Sequence, residues 1–204
     1  MTIKTNVISS FHEPFFIAEL DIDNKKILKY LDKTDFIPTA QSEIGTSNSL
    51  ISKKLNILND IPNLKKQISF CLKAFIEHEL AYDFKFKLLN SWATKTFKNG
   101  FSHKHYHSHS FISGVYYPVG NPGFNIEFTK KYINKFWNMP VKTSNVYNVD
   151  NLKITAQNNM LILFLSDLDH TMLPNTSEDV RYSISFNCVP IGKFGLVDSD
   201  ITIS

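Results

Sequence analysis

The sequence predicts a mainly β fold, a sandwich or barrel with helices packed against its outer face. Two observations carry this prediction. From residue 83 onward, apolar residues recur with a period of two in several short segments that turns separate. Before that point, one long segment has the apolar spacing of an amphipathic scaffold helix. Because the strands follow the helical region instead of alternating with it, the helices are expected outside one β domain.

The first half of the chain contains two predicted helices. Asp23 and Asn24 can cap a short helix over residues 25–31, because their side chains accept hydrogen bonds from free backbone N–H groups. Pro62 suits the first turn of a longer helix. Apolar residues follow it at helical spacing: Leu64, Ile68, Leu72 and Phe75. Residues 41–49 are polar and predict a loop.

The second half holds the predicted strands, which cover residues 84–96, 111–119, 124–128, 160–165 and 180–189. Residues 160–165 are almost wholly apolar, which indicates a strand buried on both faces. Residues 129–148 show no regular pattern. A lid or substrate loop and a simple surface excursion fit that stretch equally well.

The composition fits one domain. The chain has 204 residues, with 43% hydrophobic and 20% charged. We divide it into a mostly helical support over 1–82, a β core over 83–190 and a tail over 191–204. The net charge of +3, without a Lys/Arg run, argues against a nucleic-acid partner.

Nothing in the sequence predicts a membrane protein or a secreted one. No apolar stretch reaches the ~20 residues of a membrane span, and the N-terminus lacks the apolar segment of a signal peptide. Cys71 and Cys188 are far apart and lie among apolar neighbours, as buried reduced thiols do. We therefore expect a cytoplasmic protein, in a host cytoplasm if a phage encodes it.

Histidine placement is the most informative feature. Four of the seven histidines occupy one heptapeptide, as His103, His105, His107 and His109. In an extended segment residues two apart share a face, so neighbouring imidazoles can reach one ion. Imidazole suits iron, zinc, copper and nickel alike. The alternative is an exposed loop that binds metal adventitiously.

A fifth histidine, His170, follows the apolar run 160–165 at a polar corner. A third ligand could approach the heptapeptide from this neighbouring strand. Three protein ligands on one face leave positions open for substrate and O2, as in non-haem iron oxygenases.

Arg181 and Ser183 lie on one face of the last predicted strand. A guanidinium binds a carboxylate through two parallel hydrogen bonds, and a nearby hydroxyl can add a third. A carboxylate-bearing cosubstrate could therefore contact the metal at one end and this pair at the other. The alternative is a surface arginine on an edge strand.

These segments together resemble the iron(II)- and 2-oxoglutarate-dependent oxygenases of bacteria and marine phages, whose members are largely uncharacterised. The resemblance covers residues 88–190, and its most specific parts are SGVYY at 113–117 and RYSISFN at 181–187. It implies a double-stranded β-helix (a jelly-roll or cupin-like barrel) with N-terminal helices packed outside. It also implies Fe(II) and 2-oxoglutarate, whose decarboxylation drives oxidation, hydroxylation foremost, of a substrate that the sequence does not identify.

The resemblance implies an iron held by His105, His107 and His170. Such oxygenases usually have Asp or Glu two residues after the first histidine, and here no carboxylate is available at that place. Either the site has three histidines, or the upstream pair is His107 and His109 with His105 lining the pocket. The register of the strand face favours His105 and His107. Asp169 could supply a carboxylate, but its neighbour fits the downstream position better.

The resemblance also assigns the cosubstrate. Arg181 and Ser183 would hold the distal carboxylate of 2-oxoglutarate, and Tyr117 or Tyr116 could add a hydroxyl. The expected substrate side of the pocket comprises Trp92, Thr94, His103, His109 and Asn187.

Two rival functions remain open at this point. One is a cupin-like three-histidine enzyme that does not use 2-oxoglutarate, and the other is a non-catalytic barrel that binds metal. The expected partner is a small-molecule or peptide substrate. A homodimer formed through the helices is a further open alternative, since small barrels of this kind commonly dimerise.

Overall fold

The structure, a computed structural model, describes residues 13–40, 45, 47–131 and 140–204. Within these ranges the strands form two antiparallel sheets, one large and one small, and the helices pack against the large one. A second apolar core lies between the two sheets. The mainly β architecture with external helices is the one that the sequence predicts.

The large sheet has eight strands, numbered in chain order: β1 Phe15–Glu19, β2 Phe36–Pro38, β3 Ser49–Ser52, β4 Lys85–Thr96, β5 Ile112–Tyr117, β8 Met160–Leu165, β10 Arg181–Phe194 and β11 Ile201–Ile203. Their order is β1-β8-β5-β10-β4-β3-β2, and β11 pairs with the far end of β10. The small sheet has three strands in the order β7-β6-β9: β6 Asn125–Thr129, β7 Asn151–Thr155 and β9 His170–Met172.

The helices form for the reasons that the sequence suggests. Helix α1, Asn24–Asp32, begins where the Asp23 carboxylate accepts a hydrogen bond from the backbone N–H of Lys25 at 3.1 Å. Helix α2, Pro62–Ala74, starts on its proline and continues as a π-helical segment over Phe75–Glu79. Both helices bury their apolar faces on the outer side of the large sheet: Ile27, Leu31, Leu64, Ile68, Cys71 and Leu72.

Alternation along the central strands separates the two cores. In β5, Val115 and Tyr117 lie in the core between the sheets, whereas Tyr116 lies in the core under the helices. In β8, Ile162 and Phe164 belong to the inner core and Leu163 to the outer one. These strands are therefore buried on both faces, which is why their sequence is continuously apolar.

The structure departs from the sequence-based prediction at both ends of the chain. In the described part of residues 1–82, the strands β1, β2 and β3 accompany the helices and extend the large sheet at its two edges. Residues 191–204 are not a plain tail, since β10 runs to Phe194 and β11 pairs with it. The strands β1, β2, β3 and β11 have three to five residues each, too few to show a clear period, and each is stabilised by pairing with a neighbouring strand.

Two predicted irregular segments overlap residues that the structure leaves out. The 41–49 loop includes residues 41–44 and 46, which lie outside the described residues. Its last residue is the first of β3. In the 129–148 stretch, residues 132–139 lie outside the described residues, and the described part from 140 onward forms turns and bends. Its role as a lid or substrate loop stays a prediction.

The packing of Gly114 in β5 gives a testable result for the fold. A Cβ placed there would lie 2.3 Å from the ring of Phe186 and 2.8 Å from a methyl group of Leu163, both fully buried. We expect Gly114→Ala to lower the free energy of unfolding by ~1–3 kcal/mol through overpacking. Urea denaturation measures this.

The double variant Gly114→Ala/Phe186→Leu is the control, because the shorter side chain opens the space that the new methyl needs. The two changes should be less destabilising together than the sum of the single effects. Additive losses would contradict this account of the packing.

Candidate metal centre

Three imidazoles converge where the segment after β4 meets the start of β9. His105 and His170 form an antiparallel bridge, with the His105 N–H donating to the His170 carbonyl at 3.0 Å and the reverse bond at 2.8 Å. The His107 N–H donates to the Ser166 carbonyl at 2.9 Å. These backbone bonds fix both chain segments beside each other, so the position of the side chains follows from main-chain pairing.

The nitrogens of these imidazoles are close enough to bind one ion. In His105, His107 and His170, the ring nitrogens that could act as ligands all lie within 4.8 Å of one another. The ring centroids are 4.3 Å apart for His105 and His170, 5.0 Å for His107 and His170, and 5.3 Å for His105 and His107. An ion at the centre of this group could meet all three at imidazole–metal bond lengths of about 2.0–2.1 Å.

Two of the rings are fixed in the tautomer that metal binding requires. The His105 Nδ1 lies 2.8 Å from the His103 carbonyl, and the His170 Nδ1 lies 3.0 Å from the Leu168 carbonyl. A carbonyl can only accept, so each Nδ1 carries the proton and donates it. The Nε2 of each ring is then left with a free lone pair for an ion.

Burial keeps two of the rings neutral. It lowers the pKa of His107 to about 4, with a further lowering from His105. Burial also lowers the pKa of His170 to about 3, and His105 and His107 add to that effect, while the Leu168 carbonyl opposes it. Both rings therefore offer lone pairs at neutral pH, and the group suits iron, zinc, copper or nickel.

No carboxylate belongs to this group among the described residues. His109 is exposed, has a left-handed φ of 59°, and lies outside the group. Asp169 is also outside it. Of the alternatives that the sequence leaves open, the geometry matches the three-histidine arrangement with His105 and His107.

Arg181, the only arginine in the sequence, lies in the same cavity as the histidines. Its side chain is 1% exposed. The Nη1 group donates to the Leu173 carbonyl at 2.9 Å, whereas the buried Nη2 group has no hydrogen-bond partner among the described residues. A guanidinium keeps its charge, so this unsatisfied donor implies that an anion binds there.

The neighbours of Arg181 extend an anion-binding surface. Ser183 lies two residues along on the same face of β10 and lines the same cavity. Cross-strand register places Thr96 beside Arg181, and Ser49 beside Thr96. Thr96 and Ser49 were not predicted from the sequence. The position of Ser49 depends on β3, whose first residue it is, whereas the sequence predicts a loop up to that residue.

The two tyrosines considered for the cosubstrate differ in position. Tyr117 is fully buried in the core between the sheets, with its hydroxyl 3.5 Å from the Met172 sulfur. Burial raises its pKa, and the positive charge of Arg181 opposes that shift, so the hydroxyl stays a donor. Tyr116 faces the opposite side, and its hydroxyl donates to Asn24 at 2.7 Å. The assignment of Tyr116 to the cosubstrate is therefore wrong, because adjacent strand residues point to opposite faces.

The cavity that joins these groups has a volume of about 330 Å³. Trp92, Thr94 and His103, all predicted for the substrate side, line it. Two others do not. His109 lies at an exposed turn, and Asn187 is buried, where it accepts a hydrogen bond from the Ser113 hydroxyl at 2.8 Å. For those two residues the structure gives no pocket role.

The composition of the chain contains a further signal for Arg181. Arg181 is the one arginine of the chain, and the other residues counted among its Lys and Arg are all lysines. A lone arginine in an apolar strand is the residue type that binds a carboxylate through two hydrogen bonds. The presence of one arginine among many lysines therefore points to a recognition role for Arg181.

Comparison with known protein families shows which family the site region resembles. The family model described as "Putative 2OG-Fe(II) oxygenase" matches residues 90–187, a range that contains all three histidines and both Arg181 and Ser183. Over these residues, just under half of its length, the chain resembles the 2OG-Fe(II) oxygenases.

Solved structures share the fold of this chain at low sequence identity. An oxidoreductase of the 2OG-Fe(II) oxygenase family from Burkholderia pseudomallei aligns with a TM-score of 0.59 and 8% identity, over 81% of this chain and 76% of the other. HygX from Streptomyces hygroscopicus, with nickel and 2-oxoglutarate bound, has a TM-score of 0.59 and 12% identity, over 87% and 83%. A prolyl hydroxylase from Trichoplax adhaerens has a TM-score of 0.60 and 13% identity, over 85% and 82%.

These alignments confirm the jelly-roll fold of the chain. No protein of curated function matches its sequence. In the part of the chain that the structure describes, no helix is long and apolar enough to cross a membrane.

Proposed function

We propose that this oxygenase binds Fe(II) through His105, His107 and His170 and binds 2-oxoglutarate between that ion and Arg181. One observation carries the proposal: the three converging imidazoles and the unsatisfied Nη2 of a fully buried guanidinium line one cavity. A ligand with a chelating end and a distal carboxylate satisfies both. HygX, with the same fold, has been solved with 2-oxoglutarate and nickel bound.

Each side chain has a defined task in this arrangement. Nδ1 donation to backbone carbonyls holds the His105 and His170 rings with Nε2 toward the ion. The guanidinium of Arg181 and the hydroxyl of Ser183 receive the distal carboxylate. The buried hydroxyl of Tyr117 does not line the cavity; it donates to the Met172 sulfur at 3.5 Å, so its role in cosubstrate binding stays a prediction.

Apolar residues close the cavity around the reacting groups. Val115, Ile126, Phe164 and Met172 form this part of its wall. When bound together, the ion and cosubstrate supply oxidation by O2, in which 2-oxoglutarate becomes succinate and CO2 and a C–H bond of the substrate becomes C–OH. The wall limits the access of water, and Trp92, whose ring is 5.7 Å from that of His107, borders the substrate side.

The geometry favours this function over a three-histidine enzyme without 2-oxoglutarate. Such an enzyme has no use for a buried guanidinium in its cavity. An unsatisfied buried donor costs about 1–3 kcal/mol of stability, so its retention needs a binding role.

Succinate release tests the proposal. Protein loaded anaerobically with Fe(II) should convert 2-oxoglutarate to succinate when O2 is admitted, at a slow rate even without the substrate. Zn(II)-loaded protein is the control, because zinc has no redox chemistry and should release none. If Fe(II)-loaded protein neither binds 2-oxoglutarate nor forms succinate, the proposed function is wrong.

We also propose that the oxygenase acts in the cytoplasm on a small-molecule substrate. Both cysteines are buried free thiols, as in proteins of reducing compartments. A cavity of about 330 Å³ is at the lower end of small-molecule pockets, which span about 300–1,000 Å³. With the cosubstrate inside, only a small group of the substrate can enter.

A further inference from the structure

We infer that the substrate of this oxygenase is a small anion, which places a carboxylate or phosphate group beside Lys104 at the mouth of the cavity. The inference rests on the proposed function, because it concerns the part of the cavity that 2-oxoglutarate leaves free. It names a substrate class and one residue that selects it.

The first observation is the charge of the cavity wall. Apart from the histidines, two charged side chains line the cavity, Arg181 and Lys104, and both are cationic. The lining contains no Asp or Glu among the described residues. The remaining polar lining is made largely of hydroxyl groups from serines and threonines, which are neutral donors and acceptors.

The second observation is that the two cations lie at different depths. Arg181 is 1% exposed at the inner end, whereas Lys104 is exposed and lies next to His105 in sequence. Lys104 forms no ion pair with a described residue. Its charge is therefore available to a ligand that enters past it.

The third observation is that the segment carrying Lys104 is held on both sides. Before it, the Phe101 N–H donates to the Ser47 hydroxyl at 2.9 Å, and the Ser102 N–H donates to the Met172 carbonyl at 3.1 Å. After it, His105 forms its double backbone bond with His170. The site at which Lys104 leaves the backbone is thus fixed relative to the metal centre.

The net charge of the occupied cavity indicates which kind of substrate it favours. A histidine that coordinates a metal does so as neutral imidazole. No carboxylate joins the three histidines among the described residues, so the two charges of Fe(II) would be offset by the two of 2-oxoglutarate. With Arg181 paired to the distal carboxylate, the cavity would then keep one net positive charge, and Lys104 adds a second at its mouth. Uncompensated charge is costly in a cavity that closes to water, so an anionic substrate is favoured over a neutral or cationic one.

Binding of matched ligand pairs tests the inference without relying on turnover. Zn(II)-loaded protein saturated with 2-oxoglutarate is titrated by calorimetry with L-aspartate and L-asparagine, L-glutamate and L-glutamine, and glycerol 3-phosphate and glycerol. At least one anion should bind about fivefold or more tightly than its neutral partner, the order expected for one partly exposed ion pair. The pair that shows it distinguishes a carboxylate from a phosphate.

Variants then locate the effect. Lys104→Met should remove the preference for the anion, and Lys104→Arg should keep it. Lys26→Met is the matched control, because Lys26 is exposed on α1 and the same charge is lost far from the cavity. Lys26→Met should change neither the preference for the anion nor the affinity for 2-oxoglutarate.

The outcomes separate this inference from the proposed function. If Zn(II)-loaded wild-type protein does not bind 2-oxoglutarate, the proposed function fails. If it binds 2-oxoglutarate but no anion binds more tightly than its neutral partner, the substrate inference fails alone. A preference that Lys104→Met leaves unchanged also overturns it.

Discussion

Replacing Arg181 by Met should weaken 2-oxoglutarate binding at least about 30-fold while leaving metal binding nearly unchanged. Removing one partner of a buried, hydrogen-bonded charge pair costs ~2–5 kcal/mol, and each 1.4 kcal/mol is a factor of ten in affinity. Arg181 is not part of the metal-binding group. Calorimetric titration of Zn(II)-loaded protein with 2-oxoglutarate measures the change.

The same substitution should have the opposite effect on the stability of the ligand-free protein. Without an anion, the wild-type cavity buries a guanidinium whose Nη2 has no partner among the described residues. A methionine of similar length removes the free-energy cost of burying that unsatisfied donor. We expect Arg181→Met to leave the free energy of unfolding unchanged or to raise it by ~1–3 kcal/mol.

Thermal unfolding with and without 2-oxoglutarate checks both effects together. The wild-type melting temperature should rise on addition of 2-oxoglutarate, and that of Arg181→Met should not. A variant that is destabilised without ligand and still stabilised by it would show that Arg181 is a structural residue. Ser183→Ala, which removes one hydroxyl and no charge, should have a smaller effect on binding.

The sequence predicted most of the site because its residues lie in strongly patterned segments. Arg181 and Ser183 belong to a long strand whose alternation fixes their shared face. The histidines were predicted from composition, and the pairing of His105 with His170 was a geometric expectation. That pairing depends on a bridge between segments 65 residues apart, which no local pattern reports.

The predictions that did not hold concern residues whose structure depends on contacts outside their own segment. Asn187 has the same parity along β10 as Ser185, which lines the cavity, but it lies further along the strand, where it accepts a buried hydrogen bond from Ser113. The edge strands β2 and β9 have three residues each, too few to show a period. Short strands acquire their structure from the partner strand, so they became visible only in the folded chain.

Removing the His170 imidazole should abolish tight metal binding. We expect His170→Ala to lower the affinity for Co(II), a redox-stable probe under anaerobic conditions, at least about 100-fold. Loss of a hydrogen-bond partner of a ligand alone costs about 10–100-fold, and here the ligand itself is removed. Metal at 100 times its Kd stabilises the folded state by ~2.7 kcal/mol, so the variant should also lose this gain in thermal unfolding.

Two further variants make that result specific. His170 packs against Phe128 and Phe164, so His170→Ala could destabilise the fold, whereas His105 is less buried and its alanine variant should lose metal with less effect on folding. His109→Asn is the matched control, because asparagine tolerates the left-handed backbone at this exposed position. It should bind Co(II) like the wild type. Loss of metal in His109→Asn with retention in His105→Ala would reverse the ligand assignment in favour of His107 and His109, because the two variants remove one candidate ligand each.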